Sequence, residues 1–106
     1  MARRLLTDFE IMILLAILRL GDEAYGVPIG REIEDTTGRS VQLPAIYTAL
    51  ERLEGQGLVT SRLGEATAQR GGRAKKYFSL TPVGLDSVRD TRKALTALWA
   101  RLPQLT

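Results

Sequence analysis

Apolar residues recur at helical spacing through the first half of the chain. Phe9, Met12, Ile13, Ala16, Ile17 and Leu20 fall on one face of a helix running from about Asp8 to Leu20. Ile11, Leu14, Leu15 and Leu18 are apolar too, so most of this helix's circumference is expected to be covered. Thr7-Asp8-Phe9-Glu10 has the spacing of a capping box, in which a hydroxyl and a carboxylate satisfy the first backbone donors, and Gly21 supplies a stop. Tyr25-Gly26-Val27-Pro28 opens a second helix, because proline is tolerated in a first turn whose N–H groups have no helical partner. It is expected to end before Gly38, with Ile29 and Ile33 as its buried stripe and Arg31, Glu32, Glu34 and Asp35 as its solvated face. A third helix begins near Pro44, carries Ile46, Leu50 and Leu53 on one side, and ends at Gly55 and Gly57.

The period then changes from helical to alternating. Leu58 to Leu63 reads as a strand, Gly64 to Gly72 as a polar loop, and Ala74 to Leu80 as a second strand, which together make a hairpin with a flexible tip. Thr81-Pro82 caps a fourth helix expected to reach about Leu102, just ahead of Pro103. Along it Val88, Leu95 and Leu102 recur every seven residues, with Leu85 and Trp99 on the same side and Leu98 beside them. Three short helices followed by a two-stranded hairpin define an α+β, mostly helical fold, the winged helix-turn-helix. Residues 1–80 are expected to form that domain, and residues 81–106 a long C-terminal dimerisation helix packed on it.

Composition narrows the chemistry. The chain has 106 residues, 44% hydrophobic and 25% charged, which suits one compact domain. It contains no His and no Cys, which excludes a disulfide framework, a thiolate nucleophile, a zinc site of His/Cys type and an imidazole base. Glu32, Glu34 and Asp35 crowd one helix, but no partnered base or nucleophile stands near them, so no catalysis and no cofactor are expected. The formal charge is only +3, yet its distribution is uneven. Residues 1–60 hold six basic against nine acidic side chains, whereas residues 61–80 hold five basic against one acidic. A local basic element of this kind points to a polyanion. Asp8 and Glu10 ahead of the short apolar run from Ile11 to Leu18 argue against a secretory leader, and nothing approaches the roughly 20 apolar residues of a membrane span. A cytoplasmic protein is expected.

The face of the third helix opposite its apolar stripe carries Ala45, Thr48 and Arg52, with Gln42 just ahead. These are candidates for base edges: Arg pairs bidentately with guanine, Gln with adenine, and the Ala or Thr methyl meets the thymine methyl. Arg70, Arg73, Lys75 and Lys76, spaced by Gly71 and Gly72, form a wing suited to following a phosphate backbone. Tyr47 lies at the flank of the third helix, placed either to pack or to reach a phosphate, whereas Tyr25 and Tyr77 read as core or rim aromatics. The stripe formed by Leu85, Val88, Leu95, Leu98, Trp99 and Leu102 outruns what so small a domain covers, so a second copy is expected on it. Trp99, the only Trp, offers a flat surface there for a small aromatic effector. A winged-helix module that holds another protein, without sequence-specific DNA binding, is the alternative reading.

Several segments, taken in order, resemble the PadR family of bacterial transcriptional regulators. They are Leu20-Gly21, Tyr25-Gly26, Ala45-Ile46-Tyr47-Thr48-Ala49-Leu50-Glu51-Arg52-Leu53-Glu54, Gly57-Leu58-Val59, Gly71-Gly72-Arg73-Ala74-Lys75-Lys76-Tyr77-Phe78 and Leu80-Thr81-Pro82-Val83-Gly84, spanning about residues 6 to 90. The resemblance is to the short branch with a single C-terminal helix. It implies a homodimeric repressor that binds a palindromic operator on double-stranded DNA and is released by a small molecule or other signal. It also implies DNA contacts at Tyr47 and, more loosely, at Arg73, Lys75 and Lys76.

Overall fold

The structure, a computed structural model, describes residues 5–64 and 74–105. Among these residues the elements are α1 (Asp8–Leu20), α2 (Gly26–Thr37), α3 (Leu43–Gly55), β1 (Val59–Leu63), β2 (Lys76–Leu80) and α4 (Pro82–Trp99), with short 3-10 turns at Gly21–Glu23 and Pro103–Leu105. The two strands pair antiparallel, with Val59 opposite Leu80 and Leu63 opposite Lys76. Phe78 N–H donates to the Ala24 carbonyl at 2.8 Å, so the link between α1 and α2 docks on the free edge of β2. Mostly helical, with a two-stranded sheet after the third helix, the chain is a winged helix-turn-helix.

The capping box at α1 is formed: Glu10 N–H donates to the Thr7 hydroxyl at 3.2 Å, and Thr7 N–H donates to the Glu10 carboxylate at 2.8 Å. Glu10 is buried, which its backbone partner makes tolerable. Ile13, Leu14 and Ile17 of α1 meet Ile29 and Ile33 of α2 and Ile46, Leu50 and Leu53 of α3 in one core, closed by Val59 and Phe78 of the sheet. Burying such side chains contributes about 1.5–3 kcal/mol each. The expectation that α1 is covered nearly all round is corrected here. Leu15 and Leu18 are 43% and 45% exposed, because α2 covers only one flank and leaves an open groove of about 400 Å³ between the two helices.

One place demands close backbone approach, and a residue beside it demands a left-handed backbone. A Cβ on Gly84 would lie 2.0 Å from the Leu58 carbonyl oxygen, so only glycine lets the first turn of α4 rest on the α3–β1 turn. Around this contact Thr81 N–H donates to the same Leu58 carbonyl at 3.0 Å, and the Thr81 hydroxyl donates to Gly57 O at 2.6 Å. Gly57 itself has φ 77°, the left-handed region in which glycine is unstrained.

The fourth helix is shorter than its pattern suggests, ending at Trp99 rather than about Leu102. Ala100 is extended at φ −64° and ψ 142°, and Arg101 has φ 62°. Proline disfavours helical geometry in the residue before it, and here the helix is already unwound by the time Pro103 arrives. The eighteen residues of α4 therefore span about 27 Å. Midway along it, the Thr91 hydroxyl, buried, accepts from Leu6 N–H at 3.2 Å and ties the segment ahead of α1 to α4. Gly84→Ala is expected to lower stability by about 2 kcal/mol or more, because the new methyl meets backbone that cannot rotate away. A urea-denaturation midpoint would check this, and an unchanged midpoint would show that the contact is slack.

Candidate nucleic-acid interface

The two sides of α3 are sharply distinguished. Ile46, Leu50 and Leu53 are fully buried and Ala49 nearly so, whereas Gln42, Ala45, Thr48 and Arg52 are exposed. Gln42 is the residue capping α3, so its side chain stands at the helix start. The Thr48 hydroxyl donates back to the Pro44 carbonyl at 3.0 Å, which leaves its lone pairs and methyl to meet a partner but not its proton. The helix is set on α2 by two glycines. A Cβ on Gly26 would lie 2.6 Å from the Tyr47 ring, and one on Gly30 would lie 2.8 Å from the Ile46 side chain. Tyr47 packs the hydroxyl end of its ring on the start of α2, while the residue remains 45% exposed.

The hairpin sorts its cations by face. Lys76 shares a side of the sheet with Phe78, and its ammonium lies 3.6 Å from the Glu54 carboxylate at the end of α3. Glu54 also accepts a 2.6 Å hydrogen bond from the Ser61 hydroxyl, so three side chains fasten α3 to the sheet. Lys76, expected to serve a phosphate, is thus placed in an internal ion pair. Lys75 faces the other way, with its ammonium 4.5 Å from the centre of the Tyr25 ring and donating to the Tyr25 hydroxyl at 3.3 Å. Arg70 and Arg73 lie outside the described residues.

Arg62, which the sequence reading passed over, stands on the same outer face, its guanidinium 4.7 Å from the centre of the Tyr77 ring. Its signal was alternation. In β1 the residues Val59 and Ser61 turn inward, so Arg62 must turn outward.

Of the stripe on α4, Val88 is only 9% exposed and belongs to the chain's own core, and Leu85 is half-buried. Val88 is therefore withdrawn from the exposed seam, since the first half of α4 is what lies against the domain. Leu95, Leu98, Trp99 and Leu102 remain exposed, Leu98 at 73% and Trp99 at 61%, around an open hollow of about 220 Å³ that Leu105 completes. Leu102 reaches it from beyond the helix end. On α2, Glu32 accepts from the Thr36 hydroxyl at 2.8 Å and from Arg19 at 3.1 Å, and these bonds hold its carboxyl below the usual range. Of the acidic residues there, Glu32 is occupied by surface pairing. No helix among the described residues is long and apolar enough to cross a membrane.

Residues 14–90 match the family model described as the transcriptional regulator PadR-like family. The chain belongs to that family. PadR-like regulators act on transcription rather than catalysing reactions, and the frame described above is that of a DNA-binding regulator. Among solved structures, a transcriptional regulator from Clostridium thermocellum is similar with a TM-score of 0.70 at 25% identity, covering 84% of this chain and 81% of its own. A PadR-like regulator from Bacillus cereus shares the fold with a TM-score of 0.71 at 22% identity, over 92% and 89% of the two chains. The structure of a complex of hsRosR-S1 gives 0.69 at 26% identity, over 93% and 80%. Comparison with curated protein sequences gives no match.

The Ser61 hydrogen bond, more than the charge of Lys76, holds the Glu54 carboxyl below its ordinary value of 4.5 in this PadR-like chain. Because the folded value is lowered, the associated stability is present above the unfolded value and is lost as pH falls through the folded one. Ser61→Ala is expected to move the Glu54 titration upward toward 4.5, read from the carboxyl carbon shift in an NMR titration. An unmoved titration would mean the hydroxyl does not hold the carboxylate.

Proposed function

We propose that this PadR-like regulator is a repressor that binds a palindromic operator as a homodimer and is released by a small planar aromatic effector. The observation that carries the DNA-reading part is the two-sidedness of α3. Its apolar face is wholly committed to the core, so Ala45, Thr48 and Arg52 are held outward on a helix that cannot roll. An exposed Arg in the last turn suits bidentate pairing with guanine, while the Ala45 and Thr48 methyls suit thymine. Gln42, at the helix start, suits adenine.

The dimer reading rests on the end of α4. Leu98 and Trp99 are the most exposed large apolar side chains on that helix, and Leu95, Leu102 and Leu105 gather around them. Two copies joined there would present two recognition helices, and symmetric dimers of this class read half-sites about 34 Å apart. Residues 81–106 then serve both as a support for the domain and as its means of association. The Trp99 indole, at the rim of the same hollow, offers an aromatic compound a stacking surface, and its emission reports both association and occupancy.

Footprinting on the gene's own promoter, with light scattering on the same preparation, tests the whole reading. Arg52→Ala is expected to relax base preference at one position of each half-site by about 1–3 kcal/mol, measured by competition among single-base operator variants. Equal losses on all sequences would remove Arg52 from the base-reading set. Leu98→Lys is expected to give monomers in light scattering and to weaken operator binding about 100-fold, since two linked half-sites become independent. A dimer that survives this change places the seam elsewhere.

A further inference from the structure

The outer face of the sheet carries a row of alternating cations and rings. The Arg62 guanidinium sits 4.7 Å from the centre of Tyr77, Tyr77 meets Tyr25 edge to face at 5.5 Å and 72°, and the Lys75 ammonium sits 4.5 Å from the centre of Tyr25. Tyr25 is the cap of α2, and the next residue, Gly26, is the one on which Tyr47 of α3 packs. The row therefore runs without a gap from the wing strand to the flank of the recognition helix.

What distinguishes these two cations is how they are held. Arg39 also lies over a ring, that of Phe9 at 5.3 Å, but Asp8 neutralises it at 3.1 Å. Lys76 is neutralised by Glu54. Arg62 and Lys75 have no carboxylate partner among the described residues. An aromatic face attracts a cation through its quadrupole yet carries no net charge, so it orders the side chain and leaves the whole positive charge available. Long flexible cations ordinarily lose rotamer freedom when they bind an anion, and a ring that has already restricted them reduces that loss.

We infer that Arg62 and Lys75 form a pair of preset phosphate sites at the root of the wing, with Tyr77 and Tyr25 as positioning residues. This rests on the DNA-binding reading above and deepens it, naming the duplex backbone as the ligand of this face. The sites contact charge rather than bases, so they act on every sequence alike and set how deeply the wing root settles beside the groove that α3 enters.

The test uses the full chain and a mixed-sequence B-form duplex, with affinity followed by fluorescence anisotropy across a potassium chloride series. Wild-type protein is expected to bind with a steep salt dependence. Arg62→Ala with Lys75→Ala is expected to make that dependence shallower by about 0.9 per cation removed from each bound subunit, with the fold intact by circular dichroism. Arg89→Ala, an exposed cation of α4 paired with Asp86, is the control for loss of a cation away from the wing and is expected to keep the wild-type slope. Tyr77→Leu is expected to weaken binding about fivefold while keeping the slope, because the charge remains but its placement is lost. A double variant that matches Arg89→Ala in slope and affinity overturns the inference and leaves the DNA-binding reading standing. Wild-type protein with no salt-dependent affinity for any duplex overturns both. Tyr77→Leu with wild-type affinity removes the positioning role from the rings.

Discussion

The structure depends on α3 being fixed at both ends. At its start the helix lies so close to α2 that a Cβ on Gly26 would collide with Tyr47 and one on Gly30 with Ile46. At its end, the turn leading into β1 is gripped by α4, whose Gly84 touches the Leu58 carbonyl and whose cap Thr81 bonds both Gly57 and Leu58. A helix free to rotate by one residue would turn about 100° and could bring Glu51 into the place of Leu50 in the core. Fixing it is what turns an exposed surface into a directed one.

That constraint also explains why α4 belongs to the reading head as much as to the seam. Its first half, through Gly84, Val88 and Thr91, is buried against the domain, and only its second half is free. In the proposed dimer, a displacement at the end of α4 would be carried by one helix to the α3–β1 turn. The proposed effector at Trp99 would then not need to reach the face of α3 to alter it, because the helix that would move is the one that clamps the end of α3.

Much of this was legible before any coordinates. The capping box at Thr7, the proline-led start of α4 and the apolar stripe of α3 are local signals, and each element appears where its signal lies. The misses are those of tertiary context. Leu15 and Leu18 share the composition of a core helix but lie beyond the flank that α2 covers, which periodicity cannot foresee. The heptad of Val88, Leu95 and Leu102 suggested a continuous seam, yet Val88 is claimed by the chain's own core and Leu102 by an unwound end. Among the wing residues, Lys75 and Lys76 are equivalent as a charge run. Strand alternation separates them, one toward Glu54 and one toward Tyr25, and the same alternation turns Arg62 outward, where the strand register sets it opposite Tyr77.

The separation of cations by face has an energetic consequence. An ion pair such as that of Lys76 with Glu54 holds the wing against α3 but contributes little to attraction of DNA, since its two charges cancel at distances beyond a few ångströms. In the proposal above, Arg62 and Lys75, held by rings and not by carboxylates, keep their charge for the duplex. In the proposed reading, base discrimination by Arg52 and backbone attraction by the wing root are separate terms, set by different elements and altered by different mutations. In a dimer both are doubled, but the linkage between copies multiplies specific binding further, because two correctly spaced half-sites are needed to use it. Specificity thus grows with association, while the salt-dependent attraction by itself would hold the protein on any duplex.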